Sequence, residues 1–385
     1  MAKAKSGEWW KDNVQRALAN NSICFTEKPD VGAFMREWNT IYESKSGERG
    51  IFNRVAAKKK VAENGRRDET HDWGCNPCSE IILRDREFCN LSEVVIRSGD
   101  GIDDIKRKVR IATVLGTLQS TLTNFRYLGK KWKDNTEEEA LLGVSLTGIM
   151  DNVVTSTNDY TLAMILKVLK EVAVDTNKEW AEKLGVNPST AITTVKPSGT
   201  VSQLVDSASG IHPRYSPYYI RTVRADKKDP LARVMKERGF PCEDDVTKPD
   251  STWVFSFPVR APEGSVFRDD RTALEQLELW LTYQRYWCEH KPSITVYVKE
   301  EEWPEVGAWV WNHFDEVSGV SFLPHTEHTY RQAPYQEITE QEYLELKAKM
   351  PEFDFVFAEE YDTTSGSQEL ACVAGTCELV DLGEG

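Results

Sequence analysis

No apolar run in the 385-residue sequence approaches the ~18–20 residues that a membrane-spanning helix needs. The opening MAKAKSGEWWKDN is basic but has no apolar h-region, so it does not read as a secretory signal. No segment recurs at a solenoid period. Positive charge is in deficit: 48 Lys and Arg stand against 62 Asp and Glu, a net charge of −14. That balance argues against tight, sequence-independent nucleic-acid binding, which depends on neutralising phosphates, and leaves room for a nucleotide at a local site. Cysteine is sparse, with 8 in the chain, too few for a disulfide scaffold. These absences predict a cytoplasmic protein, bound neither to membrane nor directly to nucleic acid. Its cysteines are then catalytic, metal-binding or buried.

The chain is long enough for one large or two ordinary domains with a real core. Ile105, Val109, Ala112, Leu115, Leu118, Leu122 and Phe125 recur every three or four residues. That spacing predicts an amphipathic helix over 103–127 with these side chains inward. Leu162, Ile165, Leu166, Leu169, Ala173, Trp180 and Leu184 predict a second over 160–184, stopped by Gly185. A third covers 272–290, and Thr339 with Glu342 forms a capping box ahead of a fourth near 340–349. AITTV (191–195), WVFSFPV (253–259) and SITVYV (293–298) read as strands. Residues 55–72 are polar and charged and read as an exposed loop. Strands alternating with long helices predict an α/β layout with parallel strands. The last stretch, EYDTTSGSQELACVAGTCELVDLGEG, is acidic and lacks helical period. It reads as a flexible arm over 359–385 that carries Cys372 and Cys377.

GCNPCSE (74–80) sets Cys75 and Cys78 around Asn-Pro, with Glu80 two residues on. A C-x-x-C can be half a zinc site, a thioredoxin-type pair, or two cysteines with separate jobs. Zinc would need a second pair. Cys372 and Cys377 are spaced C-x4-C, at the edge of the usual range, and His325 and His328 lie too close together. A thioredoxin-type pair opens a helix, whereas SEIILRDREFCNL reads as strand and loop. Burial as small hydrophobes suits Cys24, Cys242 and Cys288. It does not suit Cys372 and Cys377, since two thiols on a flexible arm can reach a buried disulfide, exchange with it and return to solvent.

Asn76-Pro77-Cys78-Ser79-Glu80, then Cys89-Asn90-Leu91, then the C-x4-C pair, resembles the catalytic subunit of ribonucleotide reductases. KPSGTVS (196–202) resembles that family's phosphate-binding turn, and GVSLTGIMD (143–151) a recurring core helix. VSFLPHTEHTYRQAPYQEI (320–338) and the tail resemble the adenosylcobalamin-dependent class II enzymes, of the monomeric type. No Tyr-Tyr pair follows Tyr219, unlike class I large subunits. The resemblance spans nearly the whole chain. It implies an α/β fold, part of the ten-stranded α/β barrel of these reductases, over residues 1–358. A catalytic-cysteine finger loop at about 70–80 would lie inside the barrel.

The resemblance also implies roles. Cys78 would take the substrate 3′-hydrogen as a thiyl radical, with Glu80 as base on the 3′-OH and Asn76 holding the sugar hydroxyls. On an extended loop these alternate residues point to one side. Cys89 would be one of two thiols that reduce the 2′ position. Cys372 and Cys377 would reset it and be reset by a thioredoxin-like reductant. Ser198, Gly199, Thr200 and Val201 would bind the phosphates of the ribonucleotide substrate, although an ordinary helix cap explains PSGT equally well. The implied cofactor is adenosylcobalamin, with no metal-ligand set in the protein. Glu69-x-His71-x-x-Gly74 nearly matches a cobalt-ligating motif but has the wrong first residue, so His71 reads as a loop histidine. The thiol partner of Cys89 and an effector-binding region are not legible. The chain therefore reads as the C-terminal portion of the enzyme, completed in trans by an N-terminal reductase fragment and inactive without it. Two competing readings are a class I-type subunit needing a radical-generating partner, and a non-catalytic thiol or zinc protein retaining the fold.

Overall fold

The structure, a computed structural model, describes residues 22–44, 50–246, 248–325, 332–352, 367–369 and 379–381. The chain divides into two compact units, Met1–Pro213 with Glu263–His325, and Arg214–Pro262 with Thr326–Gly385.

In the first unit, β1 (Ser22–Phe25) pairs in parallel with β2 (Gly50–Asn53), and β3 (Gly74–Cys75) forms a small hairpin with β4 (Ile82–Leu83). β5 (Asn90–Val95), β6 (Leu142–Thr147) and β7 (Thr193–Thr194) form a parallel set. The chain then contributes β8 (Tyr218–Asp226), β9 (Cys242–Asp244) and β10 (Thr252–Arg260) to the second unit. It returns to the first with β11 (Ile294–Val298) and β12 (Val320–Pro324), which are parallel to each other. A parallel bridge between Val195 and Pro292 links β7 to the approach of β11. β12 meets β2 antiparallel through Val320 and Ile51. The order is therefore β5-β6-β7-β11-β12-β2-β1: five strands of one direction, then two of the other.

Long helices cover the outer face of this sheet, as parallel strands require. Tyr160–Leu184 buries Leu162, Ile165, Leu166, Leu169 and Ala173, and ends where Gly185 takes φ 69°, as its spacing predicts. Each fully buried leucine contributes roughly 1.5–3 kcal/mol. Ala273–Tyr286 starts from the Thr272/Glu275 capping box and buries Leu277, Trp280 and Tyr283. The Trp280 indole donates to Pro292 O at 2.9 Å and the Trp287 indole to Thr194 O at 2.7 Å, so two large apolar side chains enter the core with their polar atoms satisfied.

Three local expectations need correction. GVSLTGIMD is not a core helix: Leu142–Thr147 is the strand β6, buried along its whole length, and a single 3-10 turn, Ile149–Asp151, follows it. A strand buried on both faces has no alternation to distinguish it from a buried helix. Residues 55–72 are not all loop, since Arg54–Glu63 is a helix. The Asn53 side chain accepts from the N–H groups of Val55 and Ala56, and Ala56, Ala57, Lys60 and Val61 face inward. The helix expected over 103–127 runs over Ile102–Gln119 with a different inner face. Thr113, Gly116 and Thr117 are buried, while Leu115, Leu118 and Leu122 are more than half exposed. A Cβ on Gly116 would lie 3.4 Å from Leu142, so the approach to the sheet is too close for leucine. The threonine hydroxyls are satisfied: Thr113 donates to Val109 O, Thr117 donates to Thr113 O, and Asn177 donates to the Thr117 hydroxyl.

The second unit is antiparallel. β8 and β10 pair over nine residues each, with β9 on the far side of β10, while β13 (Tyr335–Glu337) flanks β8. The predicted WVFSFPV strand lies within β10, and the Thr339/Glu342 capping box starts the helix Glu340–Lys349 as expected. Two short strands, Ser367–Glu369 and Leu379–Asp381, pair antiparallel.

Candidate active site

The β3–β4 hairpin holds the segment expected as the finger. Gly74 pairs with Leu83 and Cys75 with Ile82, leaving Asn76 to Ile81 as the tip. Ser79 N donates to Asn76 O at 2.9 Å, and Ser79 itself takes φ 64°. The tip is therefore a tight turn with Pro77 at its first central position, a position that suits a fixed φ. The expectation of an extended loop with residues 76, 78 and 80 on one side fails here. The Asn76 carboxamide oxygen faces back into the loop and accepts from Ile81 N at 3.0 Å. Cys78 is half-buried at the tip and Glu80 is fully buried.

Backbone bonds fix the finger to the sheet. Glu80 O accepts from Lys291 N at 3.0 Å and from the Thr194 hydroxyl at 3.3 Å. Ile82 N donates to His290 Nδ1 at 3.3 Å, and His290 Nε2 bonds Leu142 O at 3.0 Å. Burial holds His290 down at about 3, so the ring is neutral and can bridge the hairpin to β6 in one tautomer. Gly319 has φ 77°, and a Cβ there would come within 3.2 Å of Ser79 O. At the root, Arg67 donates to Glu139 at 2.7 Å and Glu87 at 3.3 Å, and Arg84 holds Glu87 at 3.2 Å and Glu138 at 3.0 Å.

Acidic groups gather around the finger. Neither Glu80 carboxylate oxygen has a hydrogen-bond partner among the described residues. Burial pushes this carboxyl up, and its own backbone N–H, the Asn76 amide and then Lys196 and Lys291 pull against the shift, although none of them reaches close hydrogen-bond range. Burial, and then the charge of Glu80, push the Cys89 thiol well up, which places Cys89 within the field of the finger carboxylate. Cys89 Sγ and Ile81 Cδ1 both crowd Gly143 on β6: a Cβ there would lie 3.2 and 3.1 Å from them and overlap Leu91. Glu93 on β5 is also held up by burial, with Ser198 and Lys196 opposing, and its Oε1 has no partner.

Residues 195–198 join β7 to the helix Gly199–Leu204, whose first turn completes the 196–201 segment. Lys196 N donates to the Ser145 hydroxyl at 2.9 Å, and Pro197 O accepts from Ser209 at 2.8 Å. Ser198 takes φ 55° and leads into the helix, whose first N–H groups have no partner within the helix itself.

The structure thus brings together Glu80, Cys89 and the turn containing Ser198, Gly199, Thr200 and Val201, with Cys78 at the tip of the same hairpin. Cys372 and Cys377 lie outside the described residues. Reading the sequence alone missed Glu93, Lys196 and Lys291. The available signals were a charge inside the apolar run NLSEVV and lysines directly at strand ends, each of which also fits solvent exposure.

No protein-family model matches the chain. In solved structures its fold is that of ribonucleotide reductases. It superposes on a B-12 dependent (class II) ribonucleotide reductase with a TM-score of 0.73 and 23% identity, covering 89% of this chain and 52% of that one. A class Id ribonucleotide reductase alpha subunit from Actinobacillus ureae matches less well, with a TM-score of 0.53 and 13% identity over 79% of this chain and 65% of that one. Its sequence relatives are named adenosylcobalamin-dependent ribonucleoside-triphosphate reductases. The Lactobacillus acidophilus protein is 28% identical over 80% of this chain and 45% of its own length. The Lacticaseibacillus paracasei protein is 29% identical over 84% and 46%. The chain is similar in sequence to these reductases and shares their mixed α/β fold over the matched part. It spans about half the length of the relatives it matches.

Proposed function

We propose that the chain is the part of a class II ribonucleotide reductase that carries the radical thiol, and that it acts on ribonucleotides within a complete barrel. The observation that carries this reading is the finger itself. It is a tight, backbone-anchored turn that carries Cys78 half-buried at its tip and, two residues on, a fully buried carboxylate with no close partner, with Cys89 in that carboxylate's field. A structural hairpin has no use for such a carboxylate, because burying one without a partner is unfavourable.

The chemistry balances with these residues. Cys78 as a thiyl takes the 3′-hydrogen; its S–H bond strength is close enough to the sugar C–H for the transfer to reverse. Glu80, whose raised proton affinity suits a general base, accepts the 3′-OH proton. The 2′-OH leaves as water. Cys89 and a second thiol supply two electrons and protons and become a disulfide, and the 3′-hydrogen returns from Cys78. Cys372 and Cys377 reduce that disulfide by exchange, and a thioredoxin-like reductant resets them in a reducing cytoplasm. The 198–201 turn holds the substrate phosphates with its N–H groups. Asn76 holds Ile81 N with its carboxamide oxygen, so its NH2 group is the part that can meet the sugar hydroxyls.

The residues suit adenosylcobalamin at one point, the Cys78 thiol, because that cofactor supplies radical chemistry. They do not suit cobalt ligation by His71, which is engaged with Asp68 and Arg84 at the finger's root. The second reducing thiol and the remaining strands come from an N-terminal reductase fragment in trans. The test is deoxyribonucleotide formation from ribonucleotides, adenosylcobalamin and a dithiol, with and without that fragment. Product only with the fragment, lost in Cys78→Ala, is expected. No product in any mixture, with the cofactor bound, would overturn the proposal.

A further inference from the structure

Two groups in the first unit carry buried charge without touching an opposite charge. Glu80 is 1% exposed and its oxygens have no partner among the described residues. Lys291 is also 1% exposed. Its ammonium donates to the Ser318 hydroxyl at 2.9 Å and lies 4.5 Å over the Phe52 ring, and among the described residues it makes no ion pair. A hydroxyl and a ring face compensate a desolvated ammonium only in part. The backbone fixes the two residues together. Lys291 N donates to Glu80 O at 3.0 Å, and the Thr194 hydroxyl bonds both Glu80 O at 3.3 Å and Lys291 O at 2.7 Å.

We propose that Lys291 is a positioning residue: a second counter-cation of the Glu80 carboxylate beside Lys196, seated behind the hairpin by Ser318 and Phe52. The proposal rests on the reductase reading only for the role given to Glu80; the charge coupling does not need it. Other charges face the pair and set its background. Glu80 also meets its own backbone N–H and the Asn76 amide, then Lys196, which outweighs Lys291, and Cys89 and Glu93 from β5 and the residue before it. Lys291 also meets Cys75 on β3 and the neighbouring His290. Burial pushes Lys291 down to about 8, and Cys75 and Glu80 pull it back up. Coupling of this kind is reciprocal: whatever Lys291 does to proton binding at Glu80, Glu80 does equally to Lys291.

The test is carbon-13 NMR titration of the full chain labelled at glutamate Cδ and lysine Cε, with signals assigned from Glu80→Gln and Lys291→Met. Lys291→Met should raise the Glu80 midpoint by about one pH unit, a tenfold gain in proton affinity. Lys291→Arg should leave it within about 0.3 unit. Glu80→Gln should lower the Lys291 midpoint by the same amount that Lys291→Met raises that of Glu80. An unchanged Glu80 midpoint in folded Lys291→Met overturns the proposal. If Lys291→Met does not fold, the Glu80→Gln titration decides: no fall in the Lys291 midpoint overturns it. Neither readout needs turnover. Coupling without reductase turnover sinks the reductase reading alone, and turnover without coupling sinks only the counter-cation.

Discussion

Replacing Arg67 with methionine tests whether buried charge roots the finger. The guanidinium side chain is 1% exposed, donates to Glu139 at 2.7, 2.9 and 3.0 Å and to Glu87 at 3.3 Å, and stacks 4.3 Å above Trp73. Methionine keeps much of the aliphatic length but leaves two carboxylates side by side. Removing one partner of a buried pair costs about 3–5 kcal/mol. Arg84 remains, with Nε 3.2 Å from Glu87 and 3.5 Å from Glu139, so the low end, about 3 kcal/mol, is expected. The loss should grow with pH. Burial and then Glu139 hold the Glu87 carboxyl up at about 8. A carboxyl that binds its proton more tightly when folded contributes stability at low pH and loses it as pH rises to the folded value. Without Arg67 that folded value climbs further, so the variant keeps losing stability above pH 8, where the parent levels off. The assay is urea denaturation at about pH 6 and about pH 8.5, with hydrogen exchange of residues 67–90 as the local probe. A loss under about 1 kcal/mol, or one equal at both pH values, would refute the reasoning. Adding Glu139→Gln should recover part of the loss, since it removes the carboxylate left unpaired.

The inner face of the helix Ile102–Gln119 gives an inverted hydrophobicity test. Thr117→Leu should destabilise by about 1–3 kcal/mol despite added apolar surface, while Leu115→Gln should stay within about 0.5 kcal/mol, both by thermal denaturation. His290 gives an acid-side test. Its folded value is held at about 3, below the ordinary histidine value, so its contribution is complete above about pH 6.5 and is lost as pH falls toward 3. His290→Gln should flatten that acid limb in a stability–pH profile; an unchanged limb would assign acid sensitivity to other groups.

Elements with a strong single period were legible. Tyr160–Leu184 ends at Gly185 as read, and SITVYV covers β11. The errors share a cause. β6 is buried on both faces, so GVSLT carried no alternation. The helix Ile102–Gln119 lies so close to the sheet that Thr113, Gly116 and Thr117, with each threonine hydroxyl donating to the carbonyl four residues back, displaced the leucines that spacing favoured. Within the site, cysteines and the NPCSE pattern were visible because their spacing is local. Lys291 was not, because it follows Glu80 by more than two hundred residues and the two meet only through the sheet. The turn at Asn76–Ser79 was readable in principle from Asn-Pro, but the alternation argument assumed an extended chain and overrode it.

The meeting of β2 and β12 also sets a timetable. Ile51 and Val320 pair across about 270 residues of intervening chain. At roughly 5–20 residues per second, ribosomal synthesis of that interval takes roughly 15–50 s. During it β1 and β2 can pair with each other but have no neighbour on their open side. Closing so long a loop is entropically slow and exposes strand edges meanwhile. The β5–β6–β7 set, whose members follow one another closely, can assemble first. The β1–β2 pair would then be the last part to dock, and the part whose exposed edge a chaperone would need to shield.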